Sequence, residues 1–282
     1  MAPLNNQEPI DYLMIGHLTI DQTLEGLRIG GTAAYSALTA WQLGLKVGIF
    51  TAWGEEADAE ILNKIPIVNI KTERSTTFEN ISKPEGRVQR LYHVAPVLDG
   101  SEIPQHWRTA SIVHIGPVAG EVKPDIIGDF PSALIGMTPQ GWLRTWDDDG
   151  WVSVSDWAEA VSTLGKVDAA VVSLEDLLYD EERLEEMAGA CKVLAATEGE
   201  KGVRLYWNGD VRRFRPPHMD ALDTTGAGDI FAAALFTRLY TTRDPWEAAR
   251  FATQLAAYSV TRKGLDAIPN QDEINACMVE VL

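Results

Sequence analysis

Asp229 closes a short string, DTTGAGD at 223–229, in which an acid, two glycines and a pair of threonines could together do proton chemistry beside an anion. Asp223, Thr224 and Thr225 lead into a tight turn at Gly226, Ala227 and Gly228. Ile230, Phe231, Ala234, Leu235 and Leu239 then recur at helical spacing, which predicts a buried helix opening at the turn. The first amides of a helix have no ladder partner and carry the positive end of its dipole, so such a turn is an anion seat. A carboxylate beside it can take the proton of an attacking hydroxyl while the amides stabilise a phosphoryl group in transfer. The plain alternative is that Asp229 only complements a helix start, worth about 0.3–1 kcal/mol, and for an isolated GAGD that reading wins.

The elements that must position this string read as alternating strands and helices. Ile10–Ile15 is a short apolar run ending at Gly16, and Asp21 follows just beyond it. Ligands of open α/β sheets sit at the carboxyl ends of strands, where a carboxylate can accept bonds from sugar or polyol hydroxyls; the competing reading of Asp21 is a surface turn. Gly30 and Gly31 open a helix with small and apolar residues at 33, 34, 37, 38 and 41, and Leu45–Thr51 is the next strand. Residues 67–95 alternate threonine, valine and aromatics around the turn KPEG, which predicts a β excursion whose Thr77, Glu79, Asn80, Arg87 and Arg90 are candidate substrate contacts. Core strands are expected at 111–115, 133–137, 167–172 and 192–197, with a helix between the first two and a hairpin turn at Asp147–Gly150. SLEDLLYDEERLEEM reads as one helix with an acidic first turn, and Asp244-Pro245 starts another that runs to Gly264.

Charge and composition exclude several classes. The 282 residues carry 41 acidic against 24 basic side chains, a net charge of -17, with no Lys/Arg block, so nucleic acid and anionic membrane are poor partners. No apolar run is long enough to span a membrane, and MAPLNNQEP has no signal-peptide character. Cys191 and Cys277 form no metal or disulfide pattern and suit a reducing, cytoplasmic setting. The five histidines have no zinc-ligand spacing, and neither a Walker A string nor a GxGxxG is present. One large α/β unit over 1–282 is expected, with the excursion at 67–95.

DTTGAGDIFAAA closely resembles the second signature of the PfkB, or ribokinase-like, family of carbohydrate kinases, and GGTAAYSALTAWQLGLKVGIFTAWGEEAD resembles the first. The resemblance implies a three-layer α/β/α sandwich on a mostly parallel sheet, with a small, reduced β lid. It implies Asp229 as catalytic base and Gly226, Ala227 and Gly228 as anion hole. Asp21, Gly30, Gly31, Tyr35 and Gln140 would then face the substrate, with Arg144 a further candidate. TEGEKG resembles the family's TxGxxG nucleotide segment, so Thr197, Gly199 and Gly202, together with Thr225, Lys263 and Gly264, would bind ATP. Asp176 would help hold Mg²⁺, and Asp223 would be a structural residue or a ligand of a monovalent cation such as K⁺.

Two departures stand out. Tyr35 occupies a place where many members have Asn, and Ser173-Leu174-Glu175-Asp176 replaces the family's Asn-x-x-Glu. The run TTFEN, EGRVQR, HVAPV and IGPVAGEV resembles the inositol-kinase branch, so an inositol-like polyol is ranked first as acceptor, other sugars second and nucleosides third. A nucleoside kinase, or a non-catalytic nucleotide- or sugar-binding regulator on the same scaffold, stays open as the alternative. Sequence leaves monomer and homodimer equally open.

Overall fold

The computed structural model describes residues 8–83 and 86–278, without the side chains of residues 82, 83, 86 and 87. The N-terminal tail, the centre of the KPEG turn and the Arg87 side chain therefore lie outside the described residues. In chain order the elements are β1 (Tyr12–Ile15), β2 (Thr19–Thr23), β3 (Gly26–Gly30), α1 (Gly31–Gln42), β4 (Val47–Trp53), β5 (Ile67–Lys71), β6 (Thr76–Lys83) and β7 (Gly86–His93). After these come β8 (Ile112–Ile115), β9 (Leu134–Met137), β10 (Arg144–Trp146), β11 (Val152–Val154), α2 (Ala160–Leu164), β12 (Ala169–Ser173) and α3 (Glu181–Ala190). The last third is β13 (Val193–Thr197), β14 (Val203–Trp207), β15 (Asp210–Phe214), α4 (Ala227–Thr242), α5 (Pro245–Ser259) and α6 (Gln271–Cys277).

Nine strands form the central sheet in the order β15-β14-β13-β12-β9-β8-β1-β4-β5. All neighbours from β13 to β5 are parallel, and β14 and β15 add an antiparallel edge. Both faces are covered over the middle of the sheet, so its central strands are nearly continuous apolar runs rather than alternating ones. Tyr12, Met14, Ile49 and Ala195 pack with α1, α4 and α5 on one face, while Leu13, Ile15, Phe50 and Ala196 pack with α3 on the other. This is the expected three-layer α/β arrangement.

Several local expectations change. Ile67–Lys71 pairs with β4 in the central sheet, so the excursion does not begin at 67. The four-stranded lid sheet has the order β3-β2-β6-β7 and recruits two strands from 19–30. That first lid segment is short, with two five-residue strands joined at Leu24-Glu25. The helix expected between 115 and 133 is a single 3₁₀ stretch at Pro124–Asp129, because Gly116, Pro117, Gly120 and Pro124 interrupt an α ladder. SLEDLLYDEERLEEM is likewise broken: α3 starts only at Glu181, where the Asp180 side chain accepts from the amides of Glu182 and Arg183. No strand leads into the Asp223 turn; β15 ends at Phe214 and a loop covers the interval. The second long helix ends at Ser259, and Gly264 opens a 3₁₀ turn beyond it.

The lid is rooted at His17, where the chain leaves β1. Its buried imidazole donates from Nε2 to the Pro96 carbonyl at 2.9 Å, and its Nδ1 lies 2.7 Å from the Thr76 hydroxyl. Burial, opposed in part by the Glu121 carboxylate, holds the His17 pKa below its ordinary value. Glu121, itself buried, accepts from the amides of His17, Val118 and Ala119. The lid root and the loop after β8 are thereby fastened together.

A second buried histidine makes a pH prediction. His114 lies between the Tyr12 hydroxyl, 2.7 Å from Nδ1, and the Thr138 hydroxyl, 3.0 Å from Nε2, with the Phe236 ring edge-on at 4.9 Å. Burial pushes its pKa down to about 3. An unfolded histidine titrates near 6.5, so below that pH the unfolded chain binds more protons and stability falls until about pH 3. At pH 5 the linked loss is about 2 kcal/mol. Denaturant midpoints should therefore fall between pH 7 and 5, and His114→Gln should flatten that slope; an equally steep variant would show that the loss arises elsewhere.

Candidate active site

The turn before α4 has the geometry that the DTTGAGD string predicts. Gly226 is the helix N-cap, with φ 80° and ψ -6°. The Ala227 amide closes on the Thr224 carbonyl at 3.3 Å, and the helical ladder begins when Ile230 donates to the Gly226 carbonyl at 2.9 Å. Asp229 is the third residue of α4, in its first turn. Ser36 on α1 donates its hydroxyl to the Asp229 carbonyl at 3.1 Å, fixing that backbone from the neighbouring helix. Apolar burial of Ile230, Phe231, Ala234, Leu235 and Leu239 holds α4 on the sheet.

Gly226 and Tyr35 explain one another. Tyr35 is 2% exposed, and a Cβ built on Gly226 would run into its ring. The tyrosine therefore packs beneath the turn before α4, joined by Ile230 and Ala267. Tyr35 also lines the cleft described next, so this packing role stands beside its expected place on the substrate side.

A cleft of about 1350 Å³ runs along the carboxyl ends of the strands, and Asp229, Gly226, Ala227, Gly228 and Thr225 line it. On the lid side Asp21, in β2 rather than in a turn after β1, accepts at Oδ1 from Asn80 Nδ2 at 3.2 Å. Asn80 Oδ1 in turn accepts from Gln89 Nε2 at 2.6 Å. Asp21, Asn80 and Gln89 all line the cleft, forming a hydrogen-bonded row across three lid strands. Gly30 leaves space for the Asp21 carboxylate, which a Cβ there would strike, and Gly31 lines the cleft directly. Sequence reasoning passed over Gln89. Its signal was cross-strand register, which pairs Asn80 with Gln89 only once the turn is placed.

The predicted donor-side residues fall into two groups. Thr197, Gly199 and Gly202 line the cleft. Lys263 and Gly264 do not; Lys263 is exposed, and the Gly264 amide donates to Asp223 Oδ2 at 3.3 Å. From this part of the chain the cleft is lined instead by Thr253, Ala256, Ala257 and Val260, on and just after α5, and Pro216 and Pro217 line it as well. Asp223 lies outside the cleft lining and clamps the anion turn, since its Oδ1 also accepts from the Thr225 amide at 2.9 Å.

Asp176, in the short turn after β12, lines the cleft and is held by two neighbours. Gln140 Nε2 donates to its Oδ2 and Arg144 Nη2 to its Oδ1, each at 3.3 Å. The Arg144 and Asp176 side chains are 12% and 16% exposed. Among the described residues no group of three His, Cys, Asp or Glu side chains could hold a metal ion, and of the two candidate ligands Asp176 lines the cleft while Asp223 does not. One carboxylate on a cleft wall fits Mg²⁺ that arrives with phosphate oxygens, which keeps several of its own waters.

Comparisons with known proteins agree with this geometry. The pfkB family carbohydrate kinase profile matches residues 164–272. Probable fructokinase-2 of Arabidopsis thaliana is 31% identical over 86% of this chain and 84% of its own length, and Probable fructokinase-4 of the same plant is 28% identical over 99% of each. A solved structure of a pyrophosphate-dependent kinase in the ribokinase family, complexed with a pyrophosphate analog and myo-inositol, aligns with a TM-score of 0.75 at 21% identity, covering 95% of this chain and 100% of that one. The chain belongs to the pfkB family of carbohydrate kinases. It is a phosphotransferase, a sugar kinase of the ribokinase-like type. No described helix is long and apolar enough to cross a membrane.

Proposed function

We propose that this kinase transfers the γ-phosphoryl group of ATP to a hydroxyl of an uncharged, inositol-like polyol. The observation that carries the reading is Asp229 in the first turn of α4, sharing one cleft with the Asp21–Asn80–Gln89 row. In this reading Asp229 accepts the proton of the attacking hydroxyl, and the amides of the 226–228 turn stabilise charge on the phosphoryl group. Asp21, Asn80 and Gln89 offer acceptors and donors to neighbouring hydroxyls of a ring. Among the described residues, the cation that begins the hairpin beside the acceptor end, Arg144, is paired with Asp176, which favours a neutral acceptor over a sugar phosphate. Mg²⁺ bound with ATP supplies charge neutralisation on the phosphates, with Asp176 as its protein carboxylate. Thr197, Gly199, Gly202 and Thr225 cradle the donor, and Ala256, Ala257 and Val260 give an apolar slot for its base. Asp223 is the candidate ligand for a monovalent cation.

The myo-inositol bound to the structural neighbour supports the acceptor class, while the fructokinase names of the two relatives keep fructose as the first competitor. The test is product release across inositols, hexoses, pentoses, sugar phosphates and nucleosides, with ATP or pyrophosphate as donor and with or without K⁺. Highest kcat/KM on an inositol with ATP is expected. Preference for fructose, or for pyrophosphate, would replace the corresponding half of the reading. ATP binding without turnover on any acceptor would favour a regulator.

A further inference from the structure

The Arg144–Trp146 and Val152–Val154 strands, β10 and β11, make a hairpin that belongs to the core by sequence and to the lid by contact. At its tip the Leu91 amide of lid strand β7 donates to the Gly150 carbonyl at 2.8 Å. Arg90 Nε donates to the Asp149 carbonyl, also at 2.8 Å, and Arg90 and Trp151 form an antiparallel bridge with the guanidinium 5.3 Å from the indole ring. Gly150 sits at φ 83°, and a Cβ there would strike the Leu91 carbonyl, so the approach of hairpin to lid is as close as backbones permit.

At its base the hairpin starts with Arg144, which is bonded to Asp176, directly after the short turn that carries Gln140. The Ser155 amide closes that base on the Leu143 carbonyl at 2.8 Å. Three-residue strands span only about 10 Å, so tip and base are near neighbours mechanically. An isolated two-stranded hairpin is marginally stable in water. Its order must therefore be borrowed from what it touches, and the lid is one of those supports.

We propose that the β10–β11 hairpin is a positioning strut that makes the placement of Arg144, and through it the Asp176 carboxylate, depend on the lid strand β7. The inference rests on the reading of this cleft as a phosphoryl-transfer site. A lid seated on its polyol would then also orient the carboxylate assigned to the donor side, and a lid displaced from the hairpin would loosen it. Arg144 acts through Asp176 and is a positioning residue.

Arg90→Ala removes the side-chain part of the tip contact, its bond to the Asp149 carbonyl and its place over Trp151, without touching the cleft lining. Amide hydrogen exchange on the full chain reads the consequence whether or not a substrate is known. Exchange should quicken by about tenfold at the tip and also, by a severalfold factor, across 143–146 and 174–178. Arg28→Ala on lid strand β3 is the control and should leave 143–146 and 174–178 unchanged. Faster exchange confined to 86–93 and 147–152 would overturn the strut. On a confirmed substrate, Arg90→Ala and Arg144→Lys should act non-additively on kcat/KM, by at least threefold; independent effects would also overturn it. Silence of the parent enzyme on every acceptor would count against the kinase reading alone, because the exchange pattern still decides the strut.

Discussion

Asp229→Asn is expected to lower kcat by roughly 10²–10⁴-fold while leaving the fold intact. The amide is nearly isosteric, and the Ser36 hydroxyl bonds to the Asp229 main-chain carbonyl, which the substitution keeps. Removing a negative charge from the first turn of α4 costs only about 0.3–1 kcal/mol of helix stability. A base and a helix-start charge therefore differ in readout. Loss of turnover with a melting temperature within a few degrees of the parent's identifies the base, and ATP affinity measured without acceptor should stay within a few-fold. A variant that keeps more than a tenth of the parental kcat would demote Asp229 to a structural charge. Asp21→Asn, in contrast, should raise acceptor KM more than it lowers kcat, since Asp21 meets hydroxyls rather than the reacting proton.

What could be read from sequence followed the range of the interactions involved. The turn before α4 was legible because its main signals lie within a few residues: the glycine at positive φ, the first-turn acid and the apolar helical series. The parallel strands were legible because burial on both faces leaves apolar runs with no alternation. Ile67–Lys71 was misassigned to the lid because a half-buried edge strand has the same pattern as a lid strand, and only pairing with β4 separates them. The row from Asp21 through Asn80 to Gln89 joins three strands, and no local rule sets that register. Lys263 and Gly264 were placed at the donor through the family resemblance of the stretch after the α5 alanines. In space the chain has by then turned away, and Gly264 is spent on Asp223. Tyr35 was read as a departure in substrate choice. It also packs against Gly226, 191 positions on, where an absent side chain makes room for a ring.

That pairing gives the second large effect, in Gly226→Ala. An alanine at φ 80° costs about 1–2 kcal/mol for the left-handed backbone alone, and its Cβ meets the Tyr35 ring as well. The turn must shift, and with it the amides proposed to hold the phosphoryl group, so kcat should fall by about 10²–10³-fold, the usual cost of misplacing an anion-hole donor. Tyr35→Leu separates the two causes. Combined with Gly226→Ala it should recover part of the lost melting temperature by relieving the collision, while the backbone penalty remains and activity stays low. Tyr35→Asn, the residue many family members carry, should not install a ribose contact here; it should leave a void under the anion turn and destabilise by about 3–5 kcal/mol, as other large-to-small core changes do. If Gly226→Ala instead turned over at the parental rate, the 226–228 turn would be a helix cap and not the seat of the transferred group.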